Sequence, residues 1–290
     1  YEKLETSSER IRYYIALSLI NSGKNDESIK KLELLSTLAN SEEIRAASLF
    51  YLAKMKSVNE AANAIKMFEQ FIKDNPQSNL IPEALYQSGL LYFSAGDYSK
   101  STDLLEQSIS AGIRDDYKER ALYLIAESDY MKGQLEEAIN GYDNYLREYP
   151  EGKFTDEALF KKAVHHFEKK EFPEVLTTTE KIIVDHPNSA KLGLAYSLQG
   201  DVYFESGKYQ MAETKYQESL NSIDERGVIL AKISQIMLIR KQYENAHKNL
   251  KDIPEDSKHG YHKYILQVNI YFAQKLYSSA LSSYQKAEKY

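Results

Sequence analysis

A small side chain recurs along almost the whole chain at nearly constant spacing. It occupies Ser28, Ala64, Ser101, Ala138, Val175, Ala212, Ala246 and Ala280, and the successive intervals are 36, 37, 37, 37, 37, 34 and 34 residues. Each of these positions closes a longer pattern, which is clearest in the third repeat. There, a small residue is followed by a large one three positions later and by a glycine four after that, at Gly89, Tyr92 and Gly96. A fixed period of this length indicates supersecondary units stacked on one another.

The composition between the repeated positions favours two helices in each unit. The 290 residues include only 12 glycines and 6 prolines, which leaves little material for the turns of an all-β protein. Helix axes approach closely only where the facing side chains are small, so the helices should cross at the recurring small residues. These are Gly89, Ala126, Ala163 and Gly200 on the first helices and Ala64, Ala138, Ala212, Ala246 and Ala280 on the second.

Glycine and proline mark the predicted helix ends. The first helix of a repeat should end on a left-handed residue at Gly23, Gly96, Gly133 and Gly207. The second should stop before Pro76, Pro150 and Pro187, because the residue before a proline avoids the α region. Three extra residues follow these prolines. With Ser78 and Ser189 (or Asn188) as N-caps, they predict that the next helix begins almost one turn early.

This pattern resembles the tetratricopeptide repeat (TPR), a helix–turn–helix unit of about 34 residues. The resemblance covers nearly the whole chain, from about Ser8 to Tyr290. It implies an all-α fold, a right-handed TPR superhelix (α-solenoid) of about eight helix–turn–helix repeats forming a single solenoid over residues 1–290. The repeat bounds it implies are approximately 8–40, 42–76, 79–113, 116–150, 153–187, 190–224, 227–257 and 260–290.

The junctions between repeats resemble those of bacterial cell-envelope TPR proteins. After the prolines, a few residues lead into a Glu-Ala-Leu sequence, as at Glu83 to Leu85 and at Glu157 to Leu159. The likeness is to TolA-binding periplasmic proteins and to the lipoprotein of the outer-membrane β-barrel assembly machine, over about Phe68 to Tyr216. It implies a location in the periplasm or cell envelope. A cytoplasmic location is the open alternative.

A stack of such repeats presents a concave face built from the first helices. Positions of these helices that do not pack internally should line that face, and in the middle repeats many are aromatic. An aromatic row with scattered carboxylates suits a partner peptide or helix that carries apolar anchors and an occasional Lys or Arg. The aromatic that ends each row has scaffold packing as its alternative role. The predicted partner-binding residues are Tyr86, Leu90, Phe93, Tyr123, Glu127, Tyr130, Phe160, Phe167, Asp201 and Phe204, with Val164 and Ser197 in the same rows.

Charge and residue usage argue against several other functions. The net charge is −6, with −7 over residues 1–150 and +1 over residues 151–290, so neither half has the cationic surplus that nucleic acids require. The chain contains no cysteine, and no uncharged apolar stretch is long enough to span a membrane. His165 and His166 are adjacent on a helix and cannot chelate one metal together. No phosphate-binding or hydrolase motif is present, so we expect no enzymatic activity, no cofactor and no metal site.

The sequence therefore predicts a non-enzymatic scaffold or adaptor in a bacterial envelope assembly, with protein partners that are themselves envelope proteins. Two alternatives stay open, a cytoplasmic TPR regulator that binds a peptide and the accessory region of a larger enzyme. The last repeat leaves apolar positions uncovered around Leu281 and Tyr284. We therefore expect this C-terminal edge to be covered, either by further repeats or by a contact with another molecule.

Overall fold

The computed structural model describes residues 2–223, 226–255 and 259–290, and throughout this part the regular secondary structure is helical. The helices alternate with short connections, as helical hairpins require. They are α1 (Glu2–Asn21), α2 (Asn25–Leu38), α3 (Glu42–Lys56), α4 (Ala61–Asp74), α5 (Ile81–Ser94), α6 (Tyr98–Ser110), α7 (Asp115–Met131), α8 (Leu135–Glu148), α9 (Thr155–Glu168), α10 (Phe172–Asp185), α11 (Leu192–Glu205), α12 (Tyr209–Leu220), α13 (Arg226–Ile239), α14 (Tyr243–Lys251), α15 (Gly260–Ala273) and α16 (Tyr277–Ala287). These helices form an all-α solenoid of hairpins, as the sequence predicts.

The chain divides into two compact units, each with four hairpins. Unit 1 is Tyr1–Phe154 and contains α1 to α8, and unit 2 is Thr155–Tyr290 and contains α9 to α16. In both units every helix packs on the next one along the chain. The core of unit 1 includes a cluster around Phe50 and Phe68, and that of unit 2 a cluster around Tyr216 and Ile233.

Small residues let the two helices of a hairpin touch, as the sequence predicts. A Cβ added at Gly89 of α5 would lie 2.8 Å from Cδ2 of Leu105 on α6, and one at Gly200 of α11 would lie 2.4 Å from the ring of Tyr216. In the fourth hairpin the glycine is on the other helix. A Cβ at Gly141 of α8 would lie 2.8 Å from the Cβ of Ala126 on α7.

Tyrosines of the second helix also bind carboxylates of the first. The hydroxyl groups of Tyr142 and Tyr145 on α8, and of Tyr149 just after it, all donate to acidic side chains of α7. On α12, the Tyr216 hydroxyl donates to Asp201 at 2.7 Å. Hydrogen bonds to a charged acceptor are about twice as strong as neutral ones, so these phenols join the two helices of a hairpin as well as filling its core.

In seven of the eight hairpins that the structure describes, the turn that joins the two helices contains a left-handed residue. Gly23, Gly96, Gly133 and Gly207 have φ between 69° and 81°, as predicted. Lysine occupies the equivalent position in three other hairpins, and its left-handed conformation there was not predicted from the sequence. These lysines are Lys170 (φ 60°), Lys241 (φ 59°) and Lys275 (φ 61°). A left-handed backbone costs a residue with a Cβ about 1–2 kcal/mol relative to its preferred regions.

Proline ends the second helices where expected, since α4, α8 and α10 stop two residues before Pro76, Pro150 and Pro187. The predicted early start of the next helix is wrong. α5 begins at Ile81 and α11 at Leu192, after turns in which the Ser78 hydroxyl accepts from the Leu80 N–H and the Ser189 hydroxyl from the Lys191 N–H. The serines therefore stabilise the loops rather than cap the helices. The extra residues lie in the connections, because six residues separate α4, α8 and α10 from the next helix, whereas four separate α6 from α7.

Candidate partner-binding surface

Two of the predicted binding residues in unit 1 are buried. Tyr86 of α5 is 2% exposed, and its ring stacks on Tyr117 of α7 with a centroid distance of 4.7 Å. Tyr123 of α7 is 7% exposed and stacks on Phe154 at 4.6 Å. Both rings therefore contribute mainly to packing within the unit.

The next residues along the same helices are more accessible. Leu90 and Phe93 of α5 and Tyr130 of α7 are half-buried. Because α5 and α7 contact each other, the sequence-predicted rows of unit 1 lie on neighbouring helices. Phe93 packs edge-on against Tyr98, the first residue of α6, at 5.4 Å, so part of its ring closes the hairpin turn.

Unit 2 repeats this arrangement on α9 and α11, which also contact each other. Phe160, Val164, Phe167 and Phe204 are all half-buried. Phe167 contacts Phe172 at 6.0 Å and Phe204 contacts Tyr209 at 5.5 Å, so each closes its own turn as Phe93 does. The aromatic that ends each row therefore has a packing role and also keeps an accessible surface.

The two predicted carboxylates are held by other side chains. The Tyr142 hydroxyl donates to Glu127 in unit 1. In unit 2, the Lys232 ammonium group lies 2.7 Å from both carboxylate oxygens of Asp201 and 3.1 Å from the Ser197 hydroxyl oxygen. Asp201 thus forms a partly buried ion pair and cannot offer a full negative charge to a partner.

The environment of Tyr216 reflects this cluster. Burial of the ring and the adjacent Asp201 carboxylate raise the pKa of the Tyr216 hydroxyl above its usual range. A phenol that stays protonated at neutral pH remains a donor, so it orients Asp201 permanently. Lys232 was not among the predicted residues. Its place on α13, 31 residues after Asp201, could have indicated the pairing, because a repeat period brings equivalent helices side by side.

A groove near the start of unit 1 was also missed. It has a volume of about 930 Å³ and lies between α1, α3 and the loop that precedes α5. Tyr13, Tyr14 and Tyr51 line it together with Glu42 and other polar residues. The groove was not predicted because the repeat pattern is weak in the first hairpin.

The histidines do not assemble into a site. The Nδ1 of His166 lies 2.7 Å from a carboxylate oxygen of Glu171, and the His165 ring is buried. Within the described ranges, no group of three or more His, Asp or Glu side chains is arranged to hold a metal ion. In the same ranges, no helix has both the length and the apolar character needed to cross a bilayer.

Two known family models match parts of this chain of stacked hairpins. A tetratricopeptide repeat model matches residues 46–78, and the model of an outer membrane lipoprotein family, YfiO, matches residues 114–232. The chain is a tetratricopeptide repeat protein. Such proteins act in protein–protein interaction, and both families are typically non-enzymatic scaffolds.

Solved structures share the fold at low sequence identity. A tetratricopeptide repeat protein from Parabacteroides merdae has a TM-score of 0.59 and 16% identity, over 84% of this chain and 92% of that one. The C-terminal part of a TPR repeat-containing protein from Cytophaga hutchinsonii has a TM-score of 0.64 and 15% identity, over 82% and 93%. The apo form of RapI has a TM-score of 0.66 and 12% identity, over 97% and 96%.

Proposed function

We propose that the chain is a non-enzymatic scaffold that binds a peptide or helix of a partner protein on the concave face formed by its first helices. The observation that supports this most is a row of half-buried apolar side chains in each unit, on first helices that contact each other. Leu90 and Phe93 belong to this row in unit 1, and Phe167 and Phe204 in unit 2. Apolar side chains in such rows fit the anchor residues of an amphipathic helix or extended segment.

The buried tyrosines have a different part in this proposal. Both are buried: Tyr86 joins α5 to α7 by stacking on Tyr117, and Tyr123 joins α7 to the loop before α9 by stacking on Phe154. Glu127 and Asp201 supply polar contacts at the margin of the row. Because Asp201 is already paired with Lys232, apolar contact rather than net charge carries the binding energy in unit 2.

We propose the bacterial envelope as the setting, with other envelope proteins as partners. Two observations support it, the match of residues 114–232 to an outer membrane lipoprotein family and the Glu-Ala-Leu junctions between repeats. A cytoplasmic regulator or an accessory region of a larger enzyme would use the same surface. Osmotic-shock fractionation of the native cells distinguishes an envelope location from a cytoplasmic one. A cytoplasmic result would reject the envelope setting and would leave the binding proposal unaffected.

Site-specific photocrosslinking tests the surface. A photoreactive amino acid replaces Leu90 or Phe204, and the controls carry it at Glu106 or Lys181, which are exposed on second helices. We expect one protein to crosslink from both row positions and from neither control. Equal crosslinking from the controls, or crosslinking that survives excess unlabelled protein, would reject the concave face as the binding surface.

Serine substitutions at the same two positions measure how much each side chain contributes to the affinity for the crosslinked partner. Leu90→Ser and Phe204→Ser remove apolar contact area at half-buried positions, so they change the surface more than the core. Hot-spot residues of an interface typically contribute more than tenfold to affinity. We expect each change to weaken the crosslinked complex by about that factor, while Tyr86→Ala would confuse lost binding with lost packing.

A further inference from the structure

The left-handed lysines of unit 2 are an unexpected feature of the turns. The chain uses glycine at the same turn position in other hairpins, where that backbone conformation has no steric cost. Lys170, Lys241 and Lys275 adopt it at φ near 60° in three of the four hairpins of unit 2. Strained residues kept at equivalent positions suggest that their side chains serve a function.

The hydrogen bonds of these turns require the left-handed conformation of the lysines. The N–H of Lys170 donates to the Phe167 carbonyl at 2.9 Å, and the N–H of the following residue, Glu171, donates to His166 at 2.9 Å. The turns at Lys241 and Lys275 have the same two bonds. These bonds close the end of the first helix only when the lysine is left-handed, so the lysine cannot relax without opening the turn.

Packing brings the four turns of unit 2 to one edge. Among the first helices of unit 2, α9 contacts α11 and α13 contacts α15, while α13 also contacts α12, the second helix of the preceding hairpin. A groove of about 400 Å³ is lined by residues 207–211 of one turn and by Arg240 of the next. Arg240 also pairs with Glu213 at 2.7 Å, and His247 lies 3.2 Å from Gln274 in the last turn.

The charge of this edge differs from that of the corresponding turns in unit 1. Lys170, Lys208, Lys241 and Lys275 are exposed, one in each turn. The four turn segments are 168–172, 205–209, 239–243 and 273–277. They contain six basic residues and three acidic ones, Glu168, Glu171 and Glu205, for a net charge of +3. In unit 1 the segments 21–25, 57–61, 94–98 and 131–135 contain two basic and two acidic residues, for a net charge of zero.

Exposed apolar side chains accompany these lysines in the last two turns. Phe272 is 64% exposed and Tyr277 is 59% exposed, and their rings contact each other at 5.4 Å. Leu276 between them and Ile239 in the preceding turn are also exposed. Lysines beside aromatic and aliphatic side chains on one open edge suit the interface between the headgroups and acyl chains of a membrane.

We propose that the turn edge of unit 2 binds the surface of an anionic phospholipid membrane. The four lysines attract the headgroups, and Phe272, Leu276 and Tyr277 enter the interface. The basic groups are distributed over four successive turns instead of converging on a pocket, which favours an extended charged surface over a single acidic side chain. The turn edge adjoins the ends of the first helices, where Phe167 contacts Phe172 and Phe204 contacts Tyr209, but its test does not depend on a protein partner.

Replacing the strained lysines by glycine tests the proposal without risk of unfolding. The triple variant Lys170→Gly, Lys241→Gly, Lys275→Gly removes three charges and also relieves three left-handed backbones, so its melting temperature should equal or exceed that of the wild type. The probe is sedimentation with vesicles of phosphatidylglycerol and phosphatidylcholine in equal parts. Since each lysine near an anionic surface contributes about fivefold, the partition coefficient should fall about a hundredfold.

The control removes the same charge from other positions of unit 2. Lys181→Gln, Lys251→Gln and Lys289→Gln change exposed lysines of, or just after, the second helices, and this variant should bind nearly as well as the wild type. Wild-type binding should weaken with salt and be absent on pure phosphatidylcholine vesicles. The proposal is overturned if the glycine variant binds like the wild type or if the control loses as much. Retention of soluble poly-glutamate without vesicle binding would also overturn it, in favour of an acidic protein.

Discussion

Gly200→Ala is the substitution that most directly tests how the hairpins are held together. The new methyl group would lie 2.4 Å from Cε1 and 2.5 Å from Cδ1 of the Tyr216 ring. The ring has no room to withdraw, because Tyr216 is 1% exposed and its hydroxyl is bound to Asp201 at 2.7 Å. Either α11 and α12 separate, or the hydrogen bond breaks.

The expected loss follows from three opposing terms. Alanine is favoured over glycine inside a helix by about 1 kcal/mol. Overpacking of a core costs about 1–3 kcal/mol, and a lost hydrogen bond to a charged group about 1.5–3 kcal/mol. The sum of these terms is a destabilisation of about 1.5–5 kcal/mol, which at about 2–4 °C per kcal/mol lowers the melting temperature by roughly 3–20 °C for a unit of this size.

Thermal unfolding followed by circular dichroism measures this loss, and a second substitution assigns its cause. Tyr216→Leu introduces the residue found at the equivalent position 105, beside Gly89. In that background Gly200→Ala should be about 1–3 kcal/mol less harmful, which is the coupling energy of residues in contact. A neutral or stabilising effect of Gly200→Ala alone, or strict additivity of the two changes, would refute the idea that this contact sets the helix spacing.

Three further outcomes are expected. Gly133→Ala should lower the free energy of unfolding by about 1 kcal/mol despite open space around the Cβ position, because the φ of Gly133 is +77°. The melting temperature of this variant should fall, whereas that of Lys170→Gly should rise. Stability should decline as the pH rises above about 10, since the raised pKa of Tyr216 means that the unfolded chain loses the phenol proton before the folded one. Tyr216→Phe should flatten this decline in a series of melting curves. Lys232→Gln should lower stability by about 1 kcal/mol, because it leaves Asp201 with the tyrosine alone, and urea titration measures the change.

The sequence predicted those features of the fold that each repeat specifies locally. The period, the crossings at Gly89 and Gly200 and the left-handed glycines are all confirmed, because each depends on steric limits within one hairpin. Gly141 escaped notice because it follows the repeated position by three residues and compensates for Ala126 in a single hairpin. The lysine turns escaped it because their conformation follows from helix closure rather than from residue preference.

The candidate surface was harder to predict than the fold. The residues of the row lie on first helices that contact each other, yet the burial of Tyr86 and Tyr123 was not foreseen. Their stacking partners, Tyr117 and Phe154, come from the start of α7 and from the loop before α9, outside the register used to define the row. Side-chain burial depends on such irregular neighbours, and a periodic pattern does not contain them. The binding role of the row stays a prediction.

The placement of glycine on different helices limits how these hairpins could be exchanged during evolution. In the third and sixth hairpins the first helix supplies the glycine, and in the fourth the second helix does. A recombination that joined α7 to α12 would set Lys215 against Ala126, where even a methyl group does not fit. An exchange of complete hairpins avoids this clash, because each helix then keeps the neighbour whose side chains complement it.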